Sequence, residues 1–382
     1  YCSRFRLLYS EKKYQIAMRK ISTKDIEYIA MGSTVLGTGG GGDPYIGKLL
    51  AKEAIHKYGD VSLIAAKELK DDALVVSIAA FGAPMILVEK LFSGEEFKRA
   101  FDMMEAYLGK KIEAIIPAEA GGLNGVIPFA VAARKKVPLV DADGMGRAFP
   151  RLEMTTFTLH GIPVSPITQA DEKGNKNVYH TIDNTWGETL VGATTIQMGG
   201  SCAIGCYPMS GAQVKKAAVH GIVTYAETLG KAIIDAKAKN QNPIDSLIEK
   251  AAAIKLFTGK ISNVTLKTEG RWNKGVCEIS GLEKNIDSQM TLDFQNEFLM
   301  AKKDGKPVAI TPDLIVLIDA ENAQPITAET IQYGTRVVVL AMKADAQWRT
   351  SEGVKLGGPE KFGYKEKYVP VEELNKNNKD VL

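Results

Sequence analysis

Hydrophobic residues in the first 170 positions fall into two patterns. Apolar side chains recur at helical spacing in four segments, which predicts helices over residues 23–36, 44–58, 94–108 and 127–135. Short apolar runs lie between them and predict buried strands at residues 61–65, 73–79, 112–117 and 137–140. Strands that alternate with helices through short connections favour a mainly parallel sheet covered by helices.

The pattern changes after about residue 167. Helical spacing returns at residues 210–236 and 244–257. From residue 260 onward, turns rich in Gly, Asn and Asp separate six predicted strands, at residues 264–268, 276–280, 289–294, 307–310, 314–318 and 336–341. We therefore predict an α/β fold with two domains, an N-terminal α/β domain (18–180) and a C-terminal α+β, β-rich domain (181–370).

The two ends of the chain look different from these domains. Residues 1–17 are interpreted as a disordered or artefactual extension, with an organelle-targeting segment as the alternative. Residues 371–382 read as a polar tail. The longest apolar run, residues 73–88, is shorter than the roughly 20 residues that a membrane-spanning helix needs.

Charge and cysteine content exclude several classes of protein. The 382 residues carry 48 basic and 45 acidic side chains, a net charge of +3, which gives no electrostatic reason to expect nucleic acid or a membrane as a partner. Four cysteines are too few for a disulfide framework in a chain of this length. We therefore expect a cytoplasmic, reducing location.

The most unusual segment is the glycine run at residues 37–42. Glycine lets backbone amides approach a ligand closely, and a helix N-terminus that follows favours an anion. The run lacks the Lys-Ser/Thr pair of a phosphate-binding P-loop. It is predicted to bind substrate through Gly39, Gly40, Gly41, Gly42 and Asp43, and the alternative is a plain turn between helices.

Two further glycine-rich loops follow predicted strands. Ligands of open α/β sheets bind beyond the carboxyl ends of strands, so Glu119 and Asn124 of the first loop are candidates for a shared crevice. The second loop holds Asp141 and Asp143, which would point the same way in a continuous strand, and Arg147, whose planar guanidinium suits a substrate carboxylate. The alternatives are a capped turn and an ion-paired turn.

Two other positions are weaker candidates. His160 follows a strand-like segment, residues 155–159, and is expected to reach the same crevice or to lie in a core or surface position. Ser201 lies in a glycine-rich segment, residues 199–211, that is predicted as a tight loop lining a pocket. The cysteines of that segment, Cys202 and Cys206, are spaced too widely for a zinc knuckle, which leaves a reactive thiol or a packing role.

The three glycine-rich loops, residues 37–44, 117–124 and 141–150, together resemble the S-methyl-thiohydantoin desulfurase-like family. The second half is similar to the same family at residues 293–297, 311–315, 326–327, 333–334, 348–350 and 363–364. The resemblance implies an N-terminal α/β domain, a distinct C-terminal domain and a link to hydantoin utilisation. Arg151 departs from it, because similar sequences tend to have an acidic residue there; the two interpretations are that the nearby Glu153 compensates and that this protein differs in substrate.

The activity that names the family removes methanethiol from an S-methylated thiohydantoin. The resemblance therefore implies a hydrolase that acts on a small cyclic amide or thio-imidate ring. From the motif chemistry we assign Asp141 or Asp143 as general base or ligand of a divalent metal, Glu119 as acid, and Arg147 to orient the ring.

Two alternatives to this hydrolase stay open. One is a nucleotide-binding enzyme whose glycine run contacts phosphate, and the other is a non-catalytic partner subunit of a hydantoinase-type assembly. We expect a small cyclic-amide substrate and a homo-oligomer, with a divalent metal as the candidate cofactor.

Overall fold

The computed structural model describes residues 18–83, 86, 90, 92–269 and 272–376. The predicted extension at residues 1–17 and the last six residues of the predicted tail lie outside this part of the chain. The described helices are α1 (Thr23–Leu36), α2 (Tyr45–Tyr58), α3 (Glu95–Leu108), α4 (Ile127–Lys135), α5 (Thr156–Leu159), α6 (Asn184–Gln197), α7 (Gly211–Ala217), α8 (Ile222–Ala238), α9 (Pro243–Ala251), α10 (Ser351–Gly357) and α11 (Val371–Leu374).

The first ten strands belong to the N-terminal part of the fold. They are β1 (Arg19–Ile21), β2 (Val61–Ile64), β3 (Leu74–Gly82), β4 (Ala114–Ile116), β5 (Leu139–Val140), β6 (Ala142–Asp143), β7 (Ile167–Ala170), β8 (Lys176–Tyr179), β9 (Ser201–Ser210) and β10 (Val219–His220). Eight of them form one sheet in the order β1-β2-β5-β4-β3-β9-β7-β8, and β6 pairs with β10 in a separate ribbon.

The predicted two-domain α/β architecture is confirmed, and the first sheet is mixed. Strands β2, β5, β4 and β3 run parallel to one another, whereas β1, β9, β7 and β8 pair antiparallel with their neighbours. The antiparallel half arises because β9, which we predicted as a tight loop, is a buried central strand between β3 and β7. Its small residues fit between two strands, so a composition typical of a loop serves close packing instead.

Close helix packing joins the two halves of the sequence. Helix α1 packs against α8, and a Cβ atom on Gly32 would lie 1.7 Å from the carbonyl oxygen of Ala226. A Cβ atom on Gly230 would lie 1.8 Å from the carbonyl oxygen of Tyr28, so glycine is needed on both helices. Because α8 and β9 come after residue 180 yet pack with the first domain, the boundary at residues 180–181 stays a prediction.

Three predicted elements differ from the observed ones. The helix predicted at residues 210–236 is divided into α7 and α8 by β10, which pairs with β6. The helix predicted at residues 244–257 ends at Ala251, where Ala252 adopts a left-handed conformation (φ 48°) and the chain enters a strand. The strand-like segment at residues 155–159 is the short helix α5, capped by the Thr155 side chain.

The C-terminal domain is built on a seven-stranded antiparallel sheet. Its strands are β11 (Ile254–Glu269), β12 (Trp272–Gly281), β13 (Gln289–Gln295), β14 (Glu297–Lys303), β15 (Lys306–Ile310), β16 (Leu314–Asp319) and β17 (Arg336–Met342). They are arranged in the order β15-β14-β13-β12-β11-β17-β16. Alternating apolar residues of these strands form a core of their own.

The start of the predicted polar tail is ordered. Val371 is fully buried and opens helix α11, and its backbone N–H donates to Asp313 Oδ2 at 2.8 Å. The Tyr368 hydroxyl donates to the same oxygen at 3.1 Å. A buried carboxylate therefore anchors a segment whose composition alone suggested fraying.

Within the described part of the chain, every helix is too short or too polar to cross a lipid bilayer.

Candidate functional site

The glycine run is packed at the junction of the two domains. Residues 37–42 connect α1 to α2. The carbonyl oxygen of Thr38 accepts a hydrogen bond from the N–H of Phe298 at 2.7 Å, and that of Gly39 accepts from Ala328 at 2.7 Å. The run therefore binds the C-terminal domain through its backbone.

Close approach explains the glycines at two positions of the run. A Cβ atom on Gly40 would lie 2.2 Å from Oε1 of Glu297, so that carboxyl group occupies the space where a side chain would stand. Gly41 has a φ of +72°, and its Cβ atom would lie 2.8 Å from the carbonyl oxygen of Gly121. The glycines admit a buried acid from the other domain and the neighbouring loop.

A small cavity lies beside this junction. Its wall includes Gly41, Glu119 and Asn124 from the first domain and Asn296 and Glu297 from the second. Its volume is about 80 Å³. This is well under the roughly 300–1,000 Å³ of sites for drug-sized ligands, so the cavity suits a small ring.

Glu119 is held at the cavity by a partner that is itself anchored in the sheet. Asn124 Nδ2 donates to Glu119 Oε1 at 2.8 Å, and the Asn124 amide bonds both the N–H (2.8 Å) and the carbonyl oxygen (3.1 Å) of Ala80. Glu119 Oε2 is buried and accepts no hydrogen bond of normal geometry from the described residues. Burial raises the pKa of Glu119 to about 8, opposed by the Asn124 hydrogen bond and reinforced by the charge of Asp143.

Glu297 is a second buried acid in the same cavity, and sequence reasoning missed it. It is the first residue of β14, only 2% exposed, and its Oε2 accepts no hydrogen bond of normal geometry from any residue that the structure describes, although the backbone N–H of Gly41 is near enough to lower the pKa of the carboxyl group. Burial raises its pKa well above the ordinary value, and the charge of Glu119 raises it further, whereas Arg147 lowers it. Two signals were available in the sequence: Glu297 ends the family-like segment 293–297, and it directly precedes the apolar residues 298–301.

Asp143, which was predicted as a catalytic base, is surrounded by backbone N–H groups that donate to both of its carboxyl oxygens. Its Oδ2 accepts a hydrogen bond from the N–H of Ala120 at 2.7 Å. Its Oδ1 accepts from the N–H groups of Met145 (3.1 Å) and Gly146 (2.8 Å). Burial raises the pKa of Asp143 to about 7, although these hydrogen bonds lower it. Both oxygens are occupied, and Asp143 is absent from the cavity wall.

Asp141 points to a different part of the protein from Asp143. The chain passes from β5 to β6, which belong to different sheets, so the two aspartates do not share one continuous strand. Asp141 accepts hydrogen bonds from the N–H (3.0 Å) and hydroxyl (2.6 Å) of Thr224 in the first turn of α8. No group of three or more His, Cys, Asp or Glu side chains in the described ranges is arranged to hold a metal ion.

Arg147, which was predicted to orient the substrate, is fully buried and hydrogen-bonded to both domains. Its Nη1 donates to the carbonyl oxygens of Pro312 (2.7 Å) and Asp313 (3.0 Å), and its Nε donates to that of Ala148 (2.9 Å). The guanidinium carbon lies 4.5 Å from the centre of the Phe149 ring. Burial lowers the pKa of Arg147, whereas the carboxylates of Glu297 and Asp313 raise it.

Asp43, His160 and Ser201 lie outside the cavity wall. Asp43 Oδ1 accepts the N–H of Tyr45 at 2.8 Å and so caps α2. His160 is exposed, and its Nε2 lies 3.0 Å from Gln347 Oε1. Ser201 is fully buried at the start of β9. Of the four predicted glycines of the run, Gly41 lines the cavity and the other three do not.

The cysteines of the predicted loop do not suit nucleophilic chemistry. Cys202 and Cys206 are buried within β9. Burial raises the pKa of both thiols, that of Cys206 to about 12. Because the thiolate is the reactive form, a packing role explains both residues better.

Comparison with known proteins identifies the family. A family model described as "S-Me-THD-like, N-terminal domain" matches residues 24–181, and one described as "S-Me-THD-like, C-terminal domain" matches residues 182–371. An X-ray crystal structure of a protein from Chromobacterium violaceum is 25% identical and covers 92% of this chain and 100% of its own, with a TM-score of 0.73. A search of curated proteins found no match. The two consecutive matches confirm the resemblance seen in the glycine-rich loops, and the chain belongs to the S-Me-THD-like family, that of the S-methyl-thiohydantoin desulfurase-like proteins.

Proposed function

We propose that the protein hydrolyses a small S-methylated thio-imidate ring, releasing methanethiol and leaving a cyclic amide. The observation that carries this proposal is the pair of buried carboxyl groups, Glu119 and Glu297, which come from different domains and line one small cavity. Membership of a hydantoin-related family supports the choice of ring. The role of general base, predicted for Asp141 or Asp143, passes in this proposal to Glu119.

The two acids supply the proton transfers that the reaction needs. Ionised Glu119 takes a proton from water as its oxygen attacks the ring carbon that bears sulfur, and protonated Glu297 donates to the ring nitrogen. When the tetrahedral intermediate collapses, the carbon–sulfur bond breaks. Glu119 returns its proton to the leaving sulfur, and Glu297 takes the proton of the new hydroxyl group. Both carboxyl groups end in their starting states.

The acidities of the pair suit these roles. A base is most effective when its pKa lies near the working pH, and burial raises that of Glu119 to about 8. Burial and the neighbouring charge of Glu119 raise the pKa of Glu297 well above its ordinary value, although Arg147 lowers it, and this suits the role of proton donor that the proposal gives to Glu297. Environments that divide two similar groups into acid and base are typical of catalytic pairs.

The same cavity argues against the alternatives. A nucleotide would need more room than about 80 Å³, and its phosphates would face two carboxyl groups. A non-catalytic subunit would gain nothing from buried carboxyl oxygens without hydrogen-bond partners, which cost free energy in the folded state.

Methanethiol release from an S-methyl-thiohydantoin tests the proposal. Purified protein is expected to release thiol and hydantoin in equal amounts, measured with a thiol reagent and by chromatography. Glu119→Gln and Glu297→Gln are each expected to lower kcat by about 100-fold or more, because removing a general acid or base typically has that effect. The matched control is Glu321→Gln, at an exposed site. Full activity in both cavity variants, or no thiol from the unaltered protein, would contradict the proposal.

A further inference from the structure

Arg151 stands at the cavity and differs from the other polar groups there. Among the described residues of the wall it is the only cation, and its side chain is 35% exposed. Its guanidinium carbon lies 5.5 Å from the centre of the Trp272 ring, which provides a flat surface beneath it. The nearest carboxylate oxygen, on Glu153, is 3.9 Å away.

Arg147 and Arg151 differ in the hydrogen bonds that their guanidinium groups make. Arg147 directs its N–H groups at backbone carbonyl oxygens of both domains. For Arg151, the 3.9 Å separation from Glu153 is longer than a hydrogen bond, and no described residue accepts one from its guanidinium. Glu153 is therefore an ion-pair neighbour of Arg151 and not a hydrogen-bond partner, and the guanidinium at the cavity wall holds its donors in a plane that matches the two oxygens of a carboxylate.

We propose that the ring substrate carries a carboxylate substituent and that Arg151 binds it. The proposal rests on the proposed function and deepens it by naming the substrate class. The other charged side chains of the described wall are the acids Glu119 and Glu297, and its amides, Asn124 and Asn296, are neutral, so Arg151 is the one described wall residue whose charge attracts an anionic substituent. A ring held there by its carboxylate is also within the cavity that holds Glu119 and Glu297. Arg151 is thus a specificity-determining residue.

Two matched substrates test this selectivity. One is an S-methyl-thiohydantoin with a carboxymethyl substituent, and the other carries the neutral carbamoylmethyl group of the same shape. The unaltered protein is expected to favour the acid in kcat/KM by about 10-fold or more, as expected for a charge-assisted hydrogen bond. Arg151→Gln is expected to lower the acid-to-amide ratio by about 10- to 100-fold, mainly through KM, and Arg151→Lys to restore part of it.

The control separates the contact from net charge. Arg336→Gln removes one positive charge at an exposed site of β17 and is expected to leave the acid-to-amide ratio unchanged. A ratio in Arg151→Gln equal to that of the unaltered protein would overturn the proposal. So would a preference for the amide in the unaltered protein.

A binding measurement distinguishes failure of this proposal from failure of the proposed function. If neither substrate releases thiol, the hydrolysis fails, and calorimetry with hydantoin acetic acid and hydantoin acetamide takes its place. Tighter binding of the acid that is lost in Arg151→Gln supports the carboxylate site. Equal binding of the two compounds, or a preference that survives the substitution, overturns it.

Discussion

Asp143 and Glu119 are two buried acids of the same domain in contrasting surroundings. Burial raises the pKa of both, to about 7 and about 8 respectively. Backbone N–H groups occupy both oxygens of Asp143, whereas one oxygen of Glu119 is held by Asn124 and the other accepts no hydrogen bond of normal geometry from described residues. A shifted pKa therefore does not by itself mark a reactive group; an oxygen left open beside a cavity is the more specific sign.

Arg147 and Arg151, two arginines close in sequence, show the same difference in hydrogen bonding as the two acids. Arg147 is fully buried and donates to carbonyl oxygens of both domains, whereas Arg151 is partly exposed and faces the cavity. In each pair the residue enclosed by backbone groups stabilises the fold, and the one with unused hydrogen-bonding capacity is available to a ligand.

The largest expected effect concerns the pH dependence of stability. Because the folded-state pKa of Glu119 is raised from 4.5 to about 8, its contribution is full in acid and is lost as pH rises through that range. Glu119→Gln should make the free energy of unfolding fall less steeply between pH 5 and 8, by up to about 1.4 kcal/mol per pH unit. Urea denaturation at several pH values measures this. Equal slopes for the variant and the unaltered protein would show that Glu119 titrates normally.

A second test compares amide replacements at the two acids. Asp143→Asn would place an amide NH2 against backbone N–H groups that now donate to the carboxyl group, and we expect a loss of about 2–4 kcal/mol in the free energy of unfolding. Glu119→Gln keeps an oxygen for Asn124 and should change stability by about 1 kcal/mol or less at about pH 4, where Glu119 is mainly protonated in both the folded and the unfolded state. Urea denaturation of both variants provides the measurement. Equal losses of unfolding free energy in the two variants would show that Asp143 is no more important to the fold than Glu119.

The smallest expected effect is at Asp141. Asp141→Asn keeps an oxygen for the N–H of Thr224 but removes a negative charge from the start of α8, which should cost about 0.5–1 kcal/mol. Turnover of the S-methyl-thiohydantoin should be unchanged, because Asp141 lies outside the cavity wall. A loss of turnover without a matching loss of stability would return Asp141 to the active site.

The sequence pattern predicted those helices and strands that residues of the same segment define. Helices α1 and α4 have the predicted bounds, because the apolar spacing that defines each helix lies within one segment. Strand β9 was missed because its glycines and cysteines look like a loop until β3 and β7 enclose them. Here tertiary pairing overrode the local tendency.

The candidate site was predictable where one loop sufficed and not where distant segments meet. Glu119 and Asn124 were found because a polar loop follows β4 in an α/β pattern. Glu297 reaches the cavity only through docking of the second domain on the glycine run, which no spacing in the sequence reveals. The alternation rule failed for Asp141 and Asp143 because the chain changes sheets between them.

The seam formed by the glycine run has a consequence for how the protein responds to its ligand. A molecule that contacts both Glu119 and Glu297 binds to both domains at once, so its binding free energy also stabilises the contact between the domains. A weaker contact between the domains would move Glu119 and Glu297 apart, and a ligand in the cavity would stabilise that contact. Ligand binding and the association of the two domains are therefore thermodynamically linked.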